Sequence, residues 1–162
     1  AEGFRGTPAR LSDFETHLST LFPEVRLKRY VEVRGADAGP KSYAVALPAL
    51  WRGLLDDAEA RAAAWELVAG WSLEERERVR REVPKGGLGV RVAGLSLAEL
   101  GVELIRIARE GLSRLPRGES DVRYLEPLER NALAGRCPAD DMLDTFHACG
   151  GDPSKLVTAW SF

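Results

Sequence analysis

Histidine and cysteine are scarce in this 162-residue chain, which has two of each. His17 and His147 are too few for a histidine-rich metal site, and they argue against a Ser/His/Asp hydrolase. Cys137 and Cys149 lie twelve residues apart without a CxxC motif, a pattern that fits neither a zinc site nor a disulfide scaffold. We therefore expect reduced thiols in a cytosolic protein.

A long apolar run and a strong charge of one sign are also missing. No window approaches the roughly 18 uninterrupted apolar residues of a transmembrane helix. The net charge of −2, from 23 basic and 25 acidic residues, provides no electrostatic drive toward nucleic acid or an anionic membrane. We expect neither as a partner. The basic residues are 19 Arg and only 4 Lys, which is typical of a GC-rich genome and favours a bacterial source.

Helical signals dominate what the sequence does contain. Apolar residues make up 44% of the chain, enough to bury a sizeable core. Three Ser-x-x-Glu capping boxes, each pairing a hydroxyl acceptor with a reciprocal carboxylate, predict helix starts at Ser12, Ser72 and Ser96. The first two helices should cover about 12–21 and 73–82. The third should bury one face, because apolar residues recur there at three- and four-residue steps. Further helices are predicted over 47–56, 57–70, 121–134, 139–148 and 153–160, with four tryptophans (Trp51, Trp65, Trp71 and Trp160) bracing them.

Only residues 25–33 have the alternation of a β-strand. Odd-numbered positions are mostly Val and Leu, whereas even-numbered positions are mostly charged. An isolated strand cannot satisfy its backbone hydrogen bonds, and the short Val90-Arg91-Val92 segment is a poor candidate for a partner. We therefore expect this strand to join a sheet that lies outside the chain.

The polar face of this strand carries Arg26, Lys28, Tyr30, Glu32 and Arg34 and leads into a glycine-rich exit at 35–40. One interpretation is an exposed edge strand whose charges prevent aggregation. The other is a site for a nucleotide or charged substrate. In that case Glu32 would bind a hard cation such as Mg²⁺, and Arg34 would bind a phosphate or carboxylate. The glycine-rich exit would let the backbone approach the ligand. The residues alone leave both interpretations open.

Several motifs resemble the glutamate–cysteine ligases of the plant and proteobacterial type. The stretch LFPEVRLKRYVEVRGAD covers residues 21–37, and ALPALWRGLLDD covers residues 46–57. The resemblance continues through VPK-x-GL at 83–88 and weakens over 108–112 and 135–139. It thus covers nearly the whole chain. In that family these motifs lie in the C-terminal part, so the chain resembles roughly the last third of such an enzyme.

The resemblance implies an α+β fold, mostly helical here, that forms the C-terminal portion of a glutamine-synthetase-like antiparallel-sheet ligase. Residues 1–162 would be one C-terminal region, contributing one or two strands at about 25–34 and a helical bundle at about 46–162. The N-terminal catalytic portion of the same enzyme would be a separate part and the main partner. This chain alone is expected to be inactive.

The implied activity is ATP-dependent ligation of the glutamate γ-carboxylate to cysteine through a γ-glutamyl phosphate, the first step of glutathione biosynthesis. ATP and Mg²⁺ are the implied cofactors, and glutamate and cysteine the small-molecule substrates. The family's Glu-x-Arg matches Glu32 as metal ligand and Arg34 as catalytic phosphate clamp. Gly35 and Asp37 are carried over as substrate- or nucleotide-binding residues, and Arg29 is left as structural. Plant members have a cysteine in the segment where this chain has Val45.

Two other functions remain open at the level of sequence. One is a related carboxylate–amine ligase that takes a different amine substrate. The other is a non-catalytic helical interaction module that has kept the sequence without the chemistry.

Overall fold

The structure is a computed structural model that describes residues 6–21, 23–36 and 39–161. Helices make up most of the described chain, and the strands form two small antiparallel sheets, in agreement with the predicted mostly helical α+β class. The chain divides into two compact units, Ala1–Ala38 and Gly39–Phe162. Within the described residues, no helix is both long and apolar enough to cross a membrane.

The first unit contains helix α1 (Leu11–Thr20) and strands β1 (Val25–Leu27) and β2 (Val31–Val33). The predicted helix is present, but the predicted cap at Ser12 is wrong. Helix α1 starts after Arg10, whose backbone N–H donates to Asp13 Oδ2 at 2.8 Å. Ser12 instead lies inside the first turn, where its carbonyl accepts a hydrogen bond from the Thr16 hydroxyl.

The predicted continuous strand at 25–33 is a hairpin. Strands β1 and β2 are antiparallel, with Val25 opposite Val33, Arg26 opposite Glu32 and Leu27 opposite Val31. The reversal is centred on residue 29, so paired residues are both odd or both even. Side-chain alternation is therefore the same in this hairpin as in one long strand, and the pattern could not distinguish them. Each strand has one backbone partner within the segment, contrary to the expectation of a wholly external partner.

The second unit is a helical assembly with a second short hairpin, β3 (Arg91–Val92) paired with β4 (Leu95–Ser96). Its helices are α2 (Lys41–Leu55), α3 (Ala58–Ala69), α4 (Leu73–Gly86), α5 (Leu97–Arg114), α6 (Glu126–Ala134), α7 (Pro138–Ala148) and α8 (Pro153–Ala159). The helices predicted in this region are all present with shifted ends.

Two of the predicted capping boxes are confirmed at the starts of α4 and α5. The Glu75 N–H donates to Ser72 Oγ at 3.1 Å, and the Glu99 N–H donates to Ser96 Oγ at 3.2 Å. Each glutamate carboxylate in turn accepts from the backbone N–H of its serine. Helix α4 continues past its predicted end at residue 82 and through Pro84, because a proline in the last turn removes only one helical hydrogen bond. It ends at Gly86, and the following Gly87 has a φ of 52°.

The core lies around α5, as its apolar spacing predicts. Leu100, Ala108 and Leu112 are buried on the predicted face, and Leu125 from the segment before α6 is fully buried against them. Bracing by all four tryptophans is not observed: Trp51 packs against this core and the Trp160 indole N–H donates to the Thr145 hydroxyl, but Trp65 is 59% exposed.

Helices α2 and α5 approach closely because glycine stands on both sides of the contact. A Cβ added at Gly53 would lie 2.2 Å from the Ala108 carbonyl oxygen, and one at Gly111 would lie 2.0 Å from the Gly53 carbonyl oxygen. No other residue type fits there without movement of the backbone.

Candidate functional site

A charged cluster, formed by Arg26, Lys28, Glu32 and Arg34, lies on the polar face of the first hairpin. Arg26 Nε and Nη2 both donate to Glu32 Oε2, at 3.0 and 2.8 Å. Lys28 Nζ lies 3.6 Å from the same oxygen, and Arg34 Nε lies 3.8 Å from Oε1. Three cations thus surround one carboxylate, so the charged cluster has a surplus of positive charge. Such a surface attracts anions.

The hairpin geometry produces this cluster. Arg26 and Glu32 are directly opposite each other across the two strands. Lys28 and Arg34 each lie two residues beyond one of them along the chain and so point to the same side. The Arg34 backbone N–H donates to the Glu24 carbonyl at 2.7 Å, which extends the ladder by one pair and fixes Arg34 beside Glu32.

Glu32 is held in its ionised form. The hydrogen bond from Arg26 lowers the pKa of the Glu32 carboxyl most, and the positive charges of Arg26, Lys28 and Arg34 lower it further. The side chains of Arg26, Glu32 and Arg34 are 20 to 30% exposed, so a ligand from solution can reach them. The cluster can therefore present both a carboxylate oxygen and guanidinium groups to one ligand.

Glu32 and Arg34, the predicted metal ligand and phosphate clamp, are thus brought together, and their roles stay predictions. Gly35 follows them and is exposed, with no close contact that requires glycine: a Cβ there would meet the Glu24 side chain only at 3.8 Å. Its predicted role stays untested. Asp37 lies outside the described residues. Tyr30, predicted on the polar face, is in the turn and 61% exposed.

Mg²⁺ binds to proteins through carboxylate oxygens, and Glu32 supplies one of the right type and in the right ionisation state. Of the two Glu32 oxygens, Oε1 is the one that could bind a metal ion, because Arg34 Nε lies 3.8 Å away and is too far to donate a hydrogen bond to it. Among the described residues, no group of three or more His, Cys, Asp or Glu side chains could hold a metal ion. The charged cluster therefore supplies one carboxylate and, within the described residues, no complete metal site.

Arg26 is the residue whose importance the sequence did not reveal. Its place on the polar face was predicted, but its pairing with Glu32 depends on the turn at 28–30, which alternation alone does not show. The sequence did contain one signal for this pairing: Arg26 and Glu32 have opposite charges and lie three residues on either side of residue 29. Opposite charges directly across two antiparallel strands stabilise the hairpin.

The second unit contains an apolar cavity of about 220 Å³, lined mainly by aliphatic side chains such as Leu50, Leu104, Ile105 and Leu128. Asn131 Nδ2 donates to the Tyr43 hydroxyl at 2.6 Å at its edge, and burial raises the pKa of Tyr43. Apolar walls of this kind offer no charge stabilisation for a reaction. The charged cluster is therefore the better candidate for chemistry.

The chain matches known proteins over nearly its whole length. The family model described as glutamate-cysteine ligase family 2 matches residues 4–159. A chloroplastic glutamate–cysteine ligase of Nicotiana tabacum is 39% identical over 141 residues, which is 87% of this chain and 27% of the relative. Glutamate–cysteine ligase A of Oryza sativa subsp. indica is 41% identical over 136 residues (84% and 27%), and the Arabidopsis thaliana ligase is 40% identical over 136 (84% and 26%). The chain therefore spans about a quarter of the length of these relatives.

These relatives bear on two expectations. All three are named as chloroplastic, which contradicts the expected cytosolic location. The expectation rested on cysteine spacing, which concerns the redox state of the thiols and does not identify a compartment. The relatives are also plant proteins, so they do not support the expected bacterial source.

Proposed function

The chain belongs to glutamate–cysteine ligase family 2, and we propose that it is part of an enzyme that joins glutamate to cysteine at the expense of ATP. The product would be γ-glutamylcysteine, formed through a γ-glutamyl phosphate. Within the molecule, this proposal rests on one observation, the charged cluster around Glu32. The cluster lies in the segment that the family model matches.

The proposed reaction has two steps. In the first, the glutamate γ-carboxylate attacks the γ-phosphorus of ATP, the bond from that phosphorus to the β–γ bridging oxygen breaks, and ADP leaves as the acyl phosphate forms. In the second, the neutral cysteine amino nitrogen attacks the acyl carbon, the C–O bond to phosphate breaks so that phosphate leaves, and the nitrogen gives up a proton to solvent as the amide forms. Both steps concentrate negative charge on phosphoryl oxygens, and fixed cations near those oxygens lower the barrier. Arg34 would donate hydrogen bonds to them through its planar guanidinium.

Glu32 would contribute one carboxylate oxygen to a Mg²⁺ site, whose other ligands would come from outside the charged cluster. The metal ion, when bound, would neutralise phosphate charge during transfer. Glu32 supports this role because it is ionised, and because Oε1 accepts no hydrogen bond from Arg34. Gly35 and Asp37 remain proposed contacts for substrate or nucleotide.

The first unit also supports the proposal that the chain works within a longer protein. None of its described residues is buried, and Val25, Leu27 and Val31 on the second face of the hairpin are between 57 and 81% exposed. Exposed apolar faces and free strand edges are stabilised when another part of the protein covers them. We propose that the remaining part of the ligase covers this hairpin and extends its sheet in the manner of the glutamine-synthetase fold.

The experiment compares the ligase that contains this chain with its Arg34→Ala variant. Release of phosphate is measured with ATP, glutamate and cysteine all present and with each omitted. We expect Arg34→Ala to lower kcat roughly 100- to 1,000-fold, as loss of one charge-stabilising donor does. The matched control is Arg29→Ala, because Arg29 lies in the exposed turn of the same hairpin. Equal activity of the Arg34 variant and the control would remove Arg34 from the site.

Two further measurements separate the alternatives. A panel of amino acids in place of cysteine would show whether the ligase uses a different amine. The 162-residue chain alone should release no phosphate, and substrate-dependent release by it would contradict the proposal that the site needs the rest of the protein.

A further inference from the structure

We propose that Lys28 is a second phosphate-binding residue of the ligase, whose ammonium group contacts phosphoryl oxygens of the nucleotide beside Arg34. This inference rests on the proposed function, and it assigns a role to a residue that has none in the reaction described above. The ligand class is a polyphosphate chain, because such a chain has several anionic oxygens that two separate cations can share.

The surplus positive charge of the charged cluster belongs to Lys28 and Arg34. Arg26 donates two hydrogen bonds to Glu32 Oε2, at 3.0 and 2.8 Å, so these two opposite charges offset each other at short range. The other two cations lie by different oxygens of the same carboxylate. Lys28 Nζ is 3.6 Å from Oε2, and Arg34 Nε is 3.8 Å from Oε1. An anion is therefore attracted to Lys28 and Arg34 more than to Arg26.

The Lys28 ammonium is available to a ligand. Its 3.6 Å distance from Glu32 Oε2 is that of an ion pair without a hydrogen bond, and it makes no hydrogen bond to any other residue that the structure describes. Its side chain is 44% exposed, the largest value in the charged cluster. The Lys28 backbone N–H donates to the Tyr30 carbonyl at 2.8 Å, which holds the main chain at the turn. The flexible side chain can thus bring three N–H donors to a phosphate from a fixed starting point.

A role for Lys28 in stabilising the hairpin alone is the competing explanation. Exposed ion pairs contribute little to stability, and Glu32 Oε2 already accepts two hydrogen bonds from Arg26. Lys28 also adds a positive charge that Arg26 and Arg34 repel. A bound polyphosphate would offset this repulsion. The charge of Lys28 should therefore matter more for the affinity of an anion than for the stability of the free protein.

The experiment uses the ligase that contains this chain and inorganic tripolyphosphate as the probe, titrated with Mg²⁺ present and followed by calorimetry. No substrate turns over, so the readout is binding alone. The variants are Lys28→Gln, Lys28→Arg and Arg34→Gln. The matched control is Arg29→Gln, which removes one positive charge from the exposed turn of the same hairpin. Glutamate is titrated in parallel, which distinguishes a phosphate contact from a contact with the substrate carboxylates.

We expect Lys28→Gln to weaken tripolyphosphate binding roughly 10- to 100-fold, as loss of one charge-assisted hydrogen bond does. Lys28→Arg should retain most of the affinity, because it keeps the charge and N–H donors. Arg29→Gln should change the affinity less than about threefold, since salt screens an exposed charge that does not touch the ligand. Lys28→Gln should bind glutamate as the unmodified ligase does and should unfold at the same temperature as Arg29→Gln.

Three results would overturn the role of Lys28. If Lys28→Gln and Arg29→Gln bind tripolyphosphate equally well while Arg34→Gln binds it weakly, Lys28 is not a phosphate ligand and the proposed function stands. If Lys28→Gln weakens glutamate binding instead, Lys28 contacts a carboxylate. If neither Lys28→Gln nor Arg34→Gln weakens tripolyphosphate binding, or the unmodified ligase does not bind it, the charged cluster is not the phosphate site and the role of Arg34 fails as well.

A second variant keeps the test decisive if Lys28→Gln does not fold. Lys28→Met removes the charge and keeps an unbranched side chain, so it should show the same loss of tripolyphosphate affinity. Normal affinity in a folded Lys28→Met ligase would contradict the proposal.

Discussion

Two glycines of helix α5 should respond in opposite directions to the same substitution. A Cβ added at Gly111 would lie 2.0 Å from the Gly53 carbonyl oxygen and 2.8 Å from Ala60 Cβ, so helix α2 or α3 would have to move. A Cβ added at Gly101 would meet only Ala132 Cβ, at 3.5 Å, which is an ordinary contact. Both residues lie within α5, and both would gain helix propensity as alanine.

The magnitudes follow from these contacts. Alanine in place of a helical glycine stabilises by roughly 0.5–1 kcal/mol when space is available, which is our expectation for Gly101→Ala. Gly111→Ala gains the same amount but overpacks a buried crossing, which costs typically 1–3 kcal/mol and more when backbone atoms are the obstacle. We therefore expect Gly111→Ala to be destabilised by at least about 2 kcal/mol relative to Gly101→Ala.

Urea unfolding of the 162-residue chain, followed by circular dichroism at 222 nm, measures both free energies of unfolding. Gly53→Ala serves as a test from the other side of the crossing, because its Cβ would lie 2.2 Å from the Ala108 carbonyl oxygen. If Gly111→Ala and Gly53→Ala are as stable as Gly101→Ala, helices α2 and α5 are not in the close contact described here. If Gly111→Ala and Gly53→Ala both fail to fold while Gly101→Ala folds, the result agrees with a close contact between helices α2 and α5.

Two further predictions concern helix starts. The Asp57 carboxylate accepts a hydrogen bond from Arg114 and, as the cap of α3, one from the Ala60 N–H. These two contacts lower the pKa of Asp57 from 3.8 to about 2. The ionised form therefore stabilises the fold above about pH 4, and urea titrations should show the advantage of Asp57 over Asp57→Asn disappearing as the pH falls through 2. Ser96→Ala should lower the free energy of unfolding by about 1 kcal/mol, since it removes an observed cap. Ser12→Ala should cost less than half of that, because Ser12 does not cap α1; equal losses in thermal unfolding would contradict this assignment.

Helix positions were predictable because local chemistry decides them. The boxes at Ser72 and Ser96 have a serine, a glutamate three residues later and an apolar helix behind them, and both formed. The box at Ser12 has the same residues but failed, because the Arg10–Asp13 pair offers a competing start two residues earlier. A capping motif therefore identifies a helix more securely than it identifies the first residue.

The hairpin shows what alternation cannot reveal. A reversal centred on residue 29 leaves every odd residue on one face and every even residue on the other, as in a straight strand. The composition of the charged face was therefore predictable although the topology was wrong. The contacts were not predictable, because a straight strand separates Arg26 from Glu32 by about 20 Å at roughly 3.3 Å per residue, whereas the hairpin places them in hydrogen-bond contact.

The charges of this hairpin also explain why one small cluster could serve both a metal ion and a phosphate. Arg26, Lys28 and Arg34 repel one another, and the single carboxylate of Glu32 offsets only part of their charge. An anionic ligand would reduce the remaining repulsion, and a cation at Oε1 would be acceptable only if it arrives with anionic oxygens of its own. A phosphate that carries its divalent cation satisfies both conditions at once. Under the proposed function, the cluster therefore favours ATP together with its metal ion over either component alone, and metal affinity should rise when the nucleotide is present.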